Sequence, residues 1–394
     1  MTETIIRQVQ GDELFDVLYW LPEYAFRSSP PMIDRAERTE SLRQRVGMTC
    51  FAAFRDGSAI ACANSNPMRQ QVRGAIYGMA GFSHVTTHPA ERRRGHAKRL
   101  LARLLAAVRE EGRAFSCLWP FRELFYERLG WVTFPQMRIA RFVPSALVPL
   151  LERDLGGEVE LMLLSQGYDR YREYLLAHQR RMHGMAVFEY VNRYGLERND
   201  RWLALAKVSG EIVGLMVYEL RGERIAEFLM RISRFYYSNA QGQYLLLAWI
   251  ARHAEQANRA EITLAPSELP ETWLADIRVA TESTSSAAMG RIVDVAQLSG
   301  MYVGAGRFAA RITDPLCPWN EGFWQFEAVD GVLQVSKASH ADCELSIQAL
   351  TGLIYGTHAP GTYAYRGWGN PSPQVQEAMR AMFPPMLPCL HEGF

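Results

Sequence analysis

The chain has 394 residues, 48% of them apolar, and a formal net charge of +1. That length allows two or three domains, each with its own core, and the balanced charge removes any sequence-wide case for nucleic acid binding. Six cysteines (Cys50, Cys62, Cys117, Cys317, Cys343 and Cys389) form no CxxC or other tight spacing, which argues for reduced thiols and against a disulfide framework.

The N-terminal MTETIIRQVQ lacks the basic and then apolar order of a secretion signal. Thr4–Val9 reads as a strand and Glu13–Phe26 as a helix that Pro22 kinks or ends. Thr49–Arg55, the turn at 56–58 and Ala59–Asn64 predict a hairpin, followed by a glycine-rich strand over Gly78–Thr87. Next comes a helix with one apolar face, Ala97, Leu100, Leu101, Leu104, Leu105 and Val108. A buried strand over Ala114–Trp119, a short helix and a strand over Trp131–Phe142 complete an α+β segment. The second segment, Pro144–Ser285, echoes the first. Leu203–Val208 and Ile212–Leu220 form a hairpin, and Leu245–Ala257 a helix whose lead-in, YYSNAQGQ, has no arginine cluster. After a polar linker at 281–288, the third segment has strands at Trp324–Val329 and Val332–Lys337. Helices follow at Glu344–Tyr355 and Val375–Phe383. The longest apolar runs are far too short to span a bilayer.

The stretch HPAERRRGHAKRLL, from His88 to Leu101, sets three arginines and a glycine where a strand turns into a helix. Such a turn gathers open backbone N–H groups at the positive end of a helix dipole, which favours an anion. Gly95 allows close approach, and each guanidinium adds about 1.5–3 kcal/mol against roughly 0.3–1 kcal/mol from the dipole. The turn therefore suits a multiply charged phosphate better than a lone carboxylate. Arginines opposing the dipole with no anion to bind would gain nothing there. His84, His88 and His96 lack the i, i+4 spacing of a helical metal site, so no metal is expected. The scattered thiols include Cys117 on a buried strand, a core residue rather than a nucleophile.

The pattern Arg92-x-x-Gly95-x-Ala97 after a strand resembles the pyrophosphate loop of the GNAT acetyltransferases, and ELFYERLGW (Glu123–Trp131) resembles their Tyr-x-x-x-Gly-Phe signature. The whole chain resembles the Eis-type acetyltransferases. GRIVDV at 290–295 and ARITDPLCPWNEGFWQFE at 310–327 are similar to the opening of that family's third domain. The resemblance implies tandem GNAT folds plus a sterol-carrier-protein-like α/β domain. Its segments are 1–143, catalytic; 144–285, a degenerate second GNAT copy that has lost the anion site; and 286–394, which delivers the C-terminus.

It further implies acetyl-CoA as cosubstrate, held by Val85, Thr86 and Thr87, by the turn Arg92, Arg93, Arg94, Gly95, His96, Ala97 and Lys98, and by Phe121 and Arg122. Phe121 departs from the small or polar residues common at that place. Tyr126 matches the family's general acid and the α-carboxylate of Phe394 its base, with Gly393 where the family often has an acid. A phenol with pKa about 10 suits protonation of a thiolate, and an amine with pKa about 10.4 needs a base at pH 7. The expected reaction is N-acetylation of a polycationic small molecule, aminoglycoside- or polyamine-like, with no nucleic acid or membrane partner. A cytoplasmic homo-oligomer is expected, the family forming hexamers. Open alternatives are a protein or peptide amine as acceptor, or a carrier of acetyl-CoA or lipid without turnover.

Overall fold

The protein is described from a computed structural model covering residues 3–27, 29, 30, 32–193, 196 and 200–394. In chain order its first elements are β1 (Ile5–Val9), α1 (Gly11–Arg27), α2 (Arg35–Arg43), β2 (Thr49–Arg55), β3 (Ser58–Val72) and β4 (Ala75–Thr87). Then come α3 (His96–Glu110), β5 (Phe115–Leu118), α4 (Glu123–Glu127) and β6 (Val132–Thr133). The middle of the chain gives β7 (Arg138–Phe142), β8 (Glu158–Leu163), α5 (Leu164–Gln179), β9 (Ala186–Phe188), β10 (Trp202–Val208), β11 (Glu211–Arg221) and β12 (Phe228–Tyr237). It continues with α6 (Ala240–Ala251), β13 (Ala257–Leu264) and β14 (Ala280–Ser283). The last part has β15 (Met289–Ile292), β16 (Arg307–Thr313), β17 (Gly322–Val329), β18 (Val332–Lys337), β19 (Cys343–Ser346), α7 (Ile347–Tyr355), α8 (Tyr363–Arg366) and α9 (Pro373–Met382).

These elements form two compact units. One combines residues 1–135, 182–192 and 287–394, and the other combines 136–181 and 193–286. The first unit holds a sheet of order β1-β2-β3-β4-β5-β15-β6, with β9 on β3, and a four-stranded sheet of order β18-β17-β16-β19. The second holds the sheet β14-β7-β13-β12-β11-β10-β8. Fold and sequence agree on α+β layers, and they differ at several element boundaries: β3, expected to end at Asn64, runs on to Val72, and β4 begins at Ala75 instead of Gly78. The strand expected over Trp131–Phe142 breaks in two, because Pro135 has no N–H to give a ladder. Its second half, β7, pairs with β13 and β14 in the second unit. The helix expected over Leu245–Ala257 runs instead from Ala240 to Ala251, with Ala257 opening β13. Residues 343–346, at the expected start of a helix, form β19; Ser346 then caps α7 by accepting from the Ala349 N–H. Pro22 sits inside α1, which continues past it.

In the first unit, α3 buries Leu100, Leu101, Leu104, Leu105 and Val108 against the sheet. A buried polar knot joins β15 to the start of the third segment. Arg291 donates to both Asp314 oxygens (2.8 and 2.7 Å) and to the Leu129 carbonyl (2.5 Å), and lies over the Trp131 ring. Asn320 also donates to Asp314, at 2.9 Å. In the second unit the helix matching α3 is α6, and its entry is closed. Asn239 caps it by accepting from the Gly242 N–H at 2.9 Å, and a Cβ at Gly242 would lie 2.3 Å from the Val213 carbonyl oxygen. Among the described residues, no helix is long and apolar enough to cross a membrane.

Candidate active site

The site begins with a fork in the first sheet. β4 and β5 pair in parallel only over Met79–Phe82 and Phe115–Leu118, so β4 runs on to Thr87 with β3 alone beside it. Along that stretch Asn64 pairs with Ser83 and Cys62 with Thr86. Two β4 residues therefore face one on β3, a bulge that places His84 at φ +49°. The free arm of the fork is Val85–Thr87.

Past the arm, the chain enters α3 through Arg93 and Gly95, both left-handed (φ +64° and +77°). Gly95 is the N-cap and has no side chain to satisfy the helix, and the first inward bond is from the Arg99 N–H to its carbonyl. A Cβ at Gly95 would meet nothing within 4 Å, so the first-turn N–H groups open outward. They face a cavity of about 490 Å³. Of the residues expected to hold the cosubstrate, Val85, Thr86, Thr87, Arg92, Arg93, Gly95, His96, Ala97, Lys98 and Phe121 line it, together with Ala25, Phe26, Glu91 and Phe125. Two expected residues do not. Arg94 turns back to Glu91 (3.3 Å), which Arg55 also holds at 2.5 Å, and Arg122 sits as the exposed N-cap of α4. His96 is neutral, its pKa lowered by burial and by the Arg99 charge. A larger open groove of about 720 Å³, lined by Trp20, Phe54 and Asp56 among others, shares Glu91 with the cavity but none of the open N–H groups.

Tyr126 is buried on α4, one side chain behind the cavity wall. The wall residues Phe121 and Phe125 meet its ring edge-on at 5.7 and 4.9 Å, and Trp131 does so at 6.0 Å. Burial pushes its pKa well above the usual phenol value, so it is a neutral donor. Buried thiols elsewhere in the first unit respond alike: burial pushes Cys62 and Cys117 up to about 12. Cys62, against Thr86 at 3.0 Å, therefore stays protonated and is no nucleophile.

The C-terminal segment is pinned beside the fork. The Pro384 carbonyl accepts from Arg73 (2.9 Å), the Cys389 N–H donates to the His183 carbonyl (2.9 Å), and Trp119 donates to the Glu392 carbonyl (3.1 Å). The Phe394 ring lies over Gly81, where a Cβ would come within 3.0 Å of it, and meets Phe188 edge-on at 6.5 Å. Gly81 pairs with Cys117, and Trp119 follows β5, so the ring and its tether sit where the two strands part. Among the described residues the Phe394 carboxylate has no ion-pair partner.

The sequence reading missed a polar group on the β3 side of the bulge: Asn64, Asn66, Ser83 and His84, with Arg38, Arg45 and Tyr190 about them. Its signal was the run Asn64-Ser65-Asn66, polar on both faces of a strand whose neighbours are apolar. Among the described residues no group of three or more His, Cys, Asp or Glu is placed to hold a metal ion.

Comparison with known proteins adds the following. Residues 6–134 match the model of the acetyltransferase (GNAT) domain, and residues 305–390 that of the sterol carrier protein domain. No curated protein sequence is significantly similar to the chain. Solved structures are. A GCN5-related N-acetyltransferase from Anabaena variabilis superposes with TM-score 0.84 at 16% identity, covering 99% of this chain and 100% of that one. A probable N-acyltransferase from Enterococcus faecalis gives 0.84 at 20% and Eis1 from Mycobacterium abscessus 0.78 at 18%, each over 100% of both chains.

Proposed function

We propose that this chain, which carries an acetyltransferase (GNAT) domain at residues 6–134 and a sterol carrier protein domain at residues 305–390 and shares its fold end to end with Eis1, transfers acetyl from acetyl-CoA to a primary amine by direct attack. The observation that carries the reading is one strand, β4, bearing both halves of the site. Its free arm lines the anion cavity, and Gly81, just before the fork, carries the Phe394 ring.

The cavity fits the cosubstrate: open N–H groups, an unobstructed Gly95, and Arg92, Arg93 and Lys98 on its wall suit a pyrophosphate. When bound, the cosubstrate supplies an acetyl thioester. The Phe394 carboxylate takes a proton from the ammonium, freeing the nitrogen lone pair. The amine nitrogen then bonds to the acetyl carbon as the carbon–sulfur bond breaks. Backbone N–H groups near Val85 steady the carbonyl oxygen while it carries charge. Tyr126 gives its proton to the departing sulfur. Burial raises the phenol, so it keeps its proton until the sulfur departs. Residues 1–143 act as the catalytic domain, 144–285 as a second GNAT copy without cosubstrate, and 286–394 as the domain that delivers the terminus. The acceptor class follows from the resemblance, a polycationic amine, and the Phe394 carboxylate and Glu392 support its amine end. The same resemblance gives a homo-oligomer, and the scattered cysteines without tight spacing give a cytoplasmic location.

The test is release of CoA thiol from acetyl-CoA with a panel of polyamines, aminoglycosides and amine-bearing peptides. The native chain is compared with one extended past Phe394 by two glycines. Turnover that collapses on extension is the expected result. Equal turnover overturns the role of Phe394, and no turnover while acetyl-CoA binds overturns the transferase in favour of a carrier.

A further inference from the structure

On the β3 side of the bulge, the first unit buries a polar group that acetyl transfer leaves unused. Asn66 donates to the Gly81 carbonyl (3.2 Å) and to Ser83 Oγ (3.0 Å), and Asn64 donates to Ser83 Oγ (3.1 Å). Arg38 Nη2 lies 2.8 Å from His84 Nε2, and His84 Nδ1 lies 2.7 Å from Asn64 Oδ1. An arginine only donates, so Nε2 accepts and the Nδ1–H donates to Asn64. The ring is thus fixed neutral; burial and the charges of Arg38 and Arg45 hold its pKa down to about 3. The cluster borders the cavity. Phe26 lines the cavity and meets His84 edge-on at 6.2 Å, and His84 directly precedes Val85.

Arg45 is the member that this arrangement leaves incomplete. Its Nε and Nη1 are buried and have no hydrogen-bond partner, and among the described residues no carboxylate pairs with it. Burial lowers its pKa, yet a guanidinium keeps its charge at neutral pH. Two of its three guanidinium nitrogens are thus out of water with no acceptor, which is costly for a charged donor, so the group calls for an anion from outside the chain. Asn64 and Asn66 face their bonds inward, His84 is neutral, and Arg38 adds a second positive charge beside the same ring.

We propose that the acceptor amine also carries a carboxylate, which Arg45 receives with Arg38 alongside, so that an amino acid or similar zwitterion takes the place of the polycation that the resemblance alone implies. This rests on the acetyltransferase reading and names its acceptor. His84 lies three residue steps along β4 from Gly81 beneath Phe394, roughly 10 Å at about 3.3 Å per residue. The amine and the carboxylate are therefore separated by several bonds instead of sharing one carbon. A guanidinium takes a carboxylate through paired N–H···O bonds, whereas a second ammonium at this end would face the like charge of Arg45.

The experiment compares 6-aminohexanoate with pentylamine, the same amine without its carboxylate, and polyamines with both. In the native chain kcat/KM is expected to favour 6-aminohexanoate by about tenfold or more, the worth of a charge-assisted pair. In Arg45→Met the ratio falls toward one, and in Arg45→Lys part of it returns. Because each ratio is taken within one preparation, a partly folded variant does not distort it. A native ratio near or below one, with amines still acetylated, overturns the inference and leaves the transferase standing. If no amine turns over, calorimetric titration with 6-aminohexanoate decides. Binding that Arg45→Met abolishes supports the carboxylate site, and no binding to the native chain overturns it.

Discussion

Gly81→Ala tests the placement of the terminal ring by its smallest perturbation. The added Cβ would stand 3.0 Å from two Phe394 ring carbons and 2.8 Å from Met68 Sδ. Ordinary carbon contacts lie at about 3.5–4.0 Å, so the ring must retreat by roughly 0.5–1 Å, while Met68 has the rotamer freedom to yield. A misplacement near 1 Å costs on the order of a hundredfold in rate, so the expected loss is about ten- to a hundredfold in kcat. KM for acetyl-CoA should hold, because the turn at Arg93 and Gly95 is untouched. Steady-state kinetics on an amine that the native chain acetylates measure both. The double variant Gly81→Ala, Phe394→Leu carries the control. A shorter side chain relieves the contact, so kcat should recover relative to Gly81→Ala alone. Loss of kcat under about twofold in Gly81→Ala, or no recovery in the double variant, would refute the idea that β4 positions the terminal group.

Gly95→Val forces a β-branched residue to φ +77° and should raise KM for acetyl-CoA by about tenfold, with kcat changed less; an unaltered KM would remove the turn from the cosubstrate site. Arg291→Met leaves Asp314 buried without its counter-ion and should cost about 3–5 kcal/mol, read as a lowered midpoint in denaturant; a change under about 1 kcal/mol would deny the pair that role. Burial also lowers His183 and His358 to about 4 and His84 to about 3, below the roughly 6.5 of the unfolded chain. Between these values the unfolded chain binds protons that the folded one refuses, so stability is complete above pH 6.5 and falls as pH drops toward 4. A Tm that stays level or rises from pH 6.5 to 4.5 would contradict this.

The turn from β4 into α3 was legible because it is local: Arg92, Gly95 and Ala97 stand a few residues apart, and the apolar face of α3 follows directly. The acetyltransferase and sterol carrier domains at residues 6–134 and 305–390 were legible through motif likeness. What escaped depends on distant partners. Arg94 looks equivalent to its neighbours until Glu91 and Arg55 draw it away. A left-handed histidine has no compositional mark, so the bulge at His84 could not be read, and neither could the fork it helps open. Arg45 lies just past a charged helix and reads as solvated, yet the fold buries two of its guanidinium nitrogens without a partner. The four residues of β15 are too short to announce that they complete a sheet begun almost three hundred residues earlier.

That late strand bears on how the protein is made. β15 stands between β5 and β6, and among the described residues β6 pairs with nothing else in its sheet. The ribosome therefore releases the first six strands with one slot vacant and fills it only after the second unit's strands have appeared. At about 5–20 residues per second, roughly 150 residues amount to some 8–30 s of waiting. During that interval the edge of β5 and the apolar Val132 and Phe134 await their cover, a natural point for chaperone engagement. Expressed alone, residues 1–135 would keep that edge open permanently and be prone to aggregate.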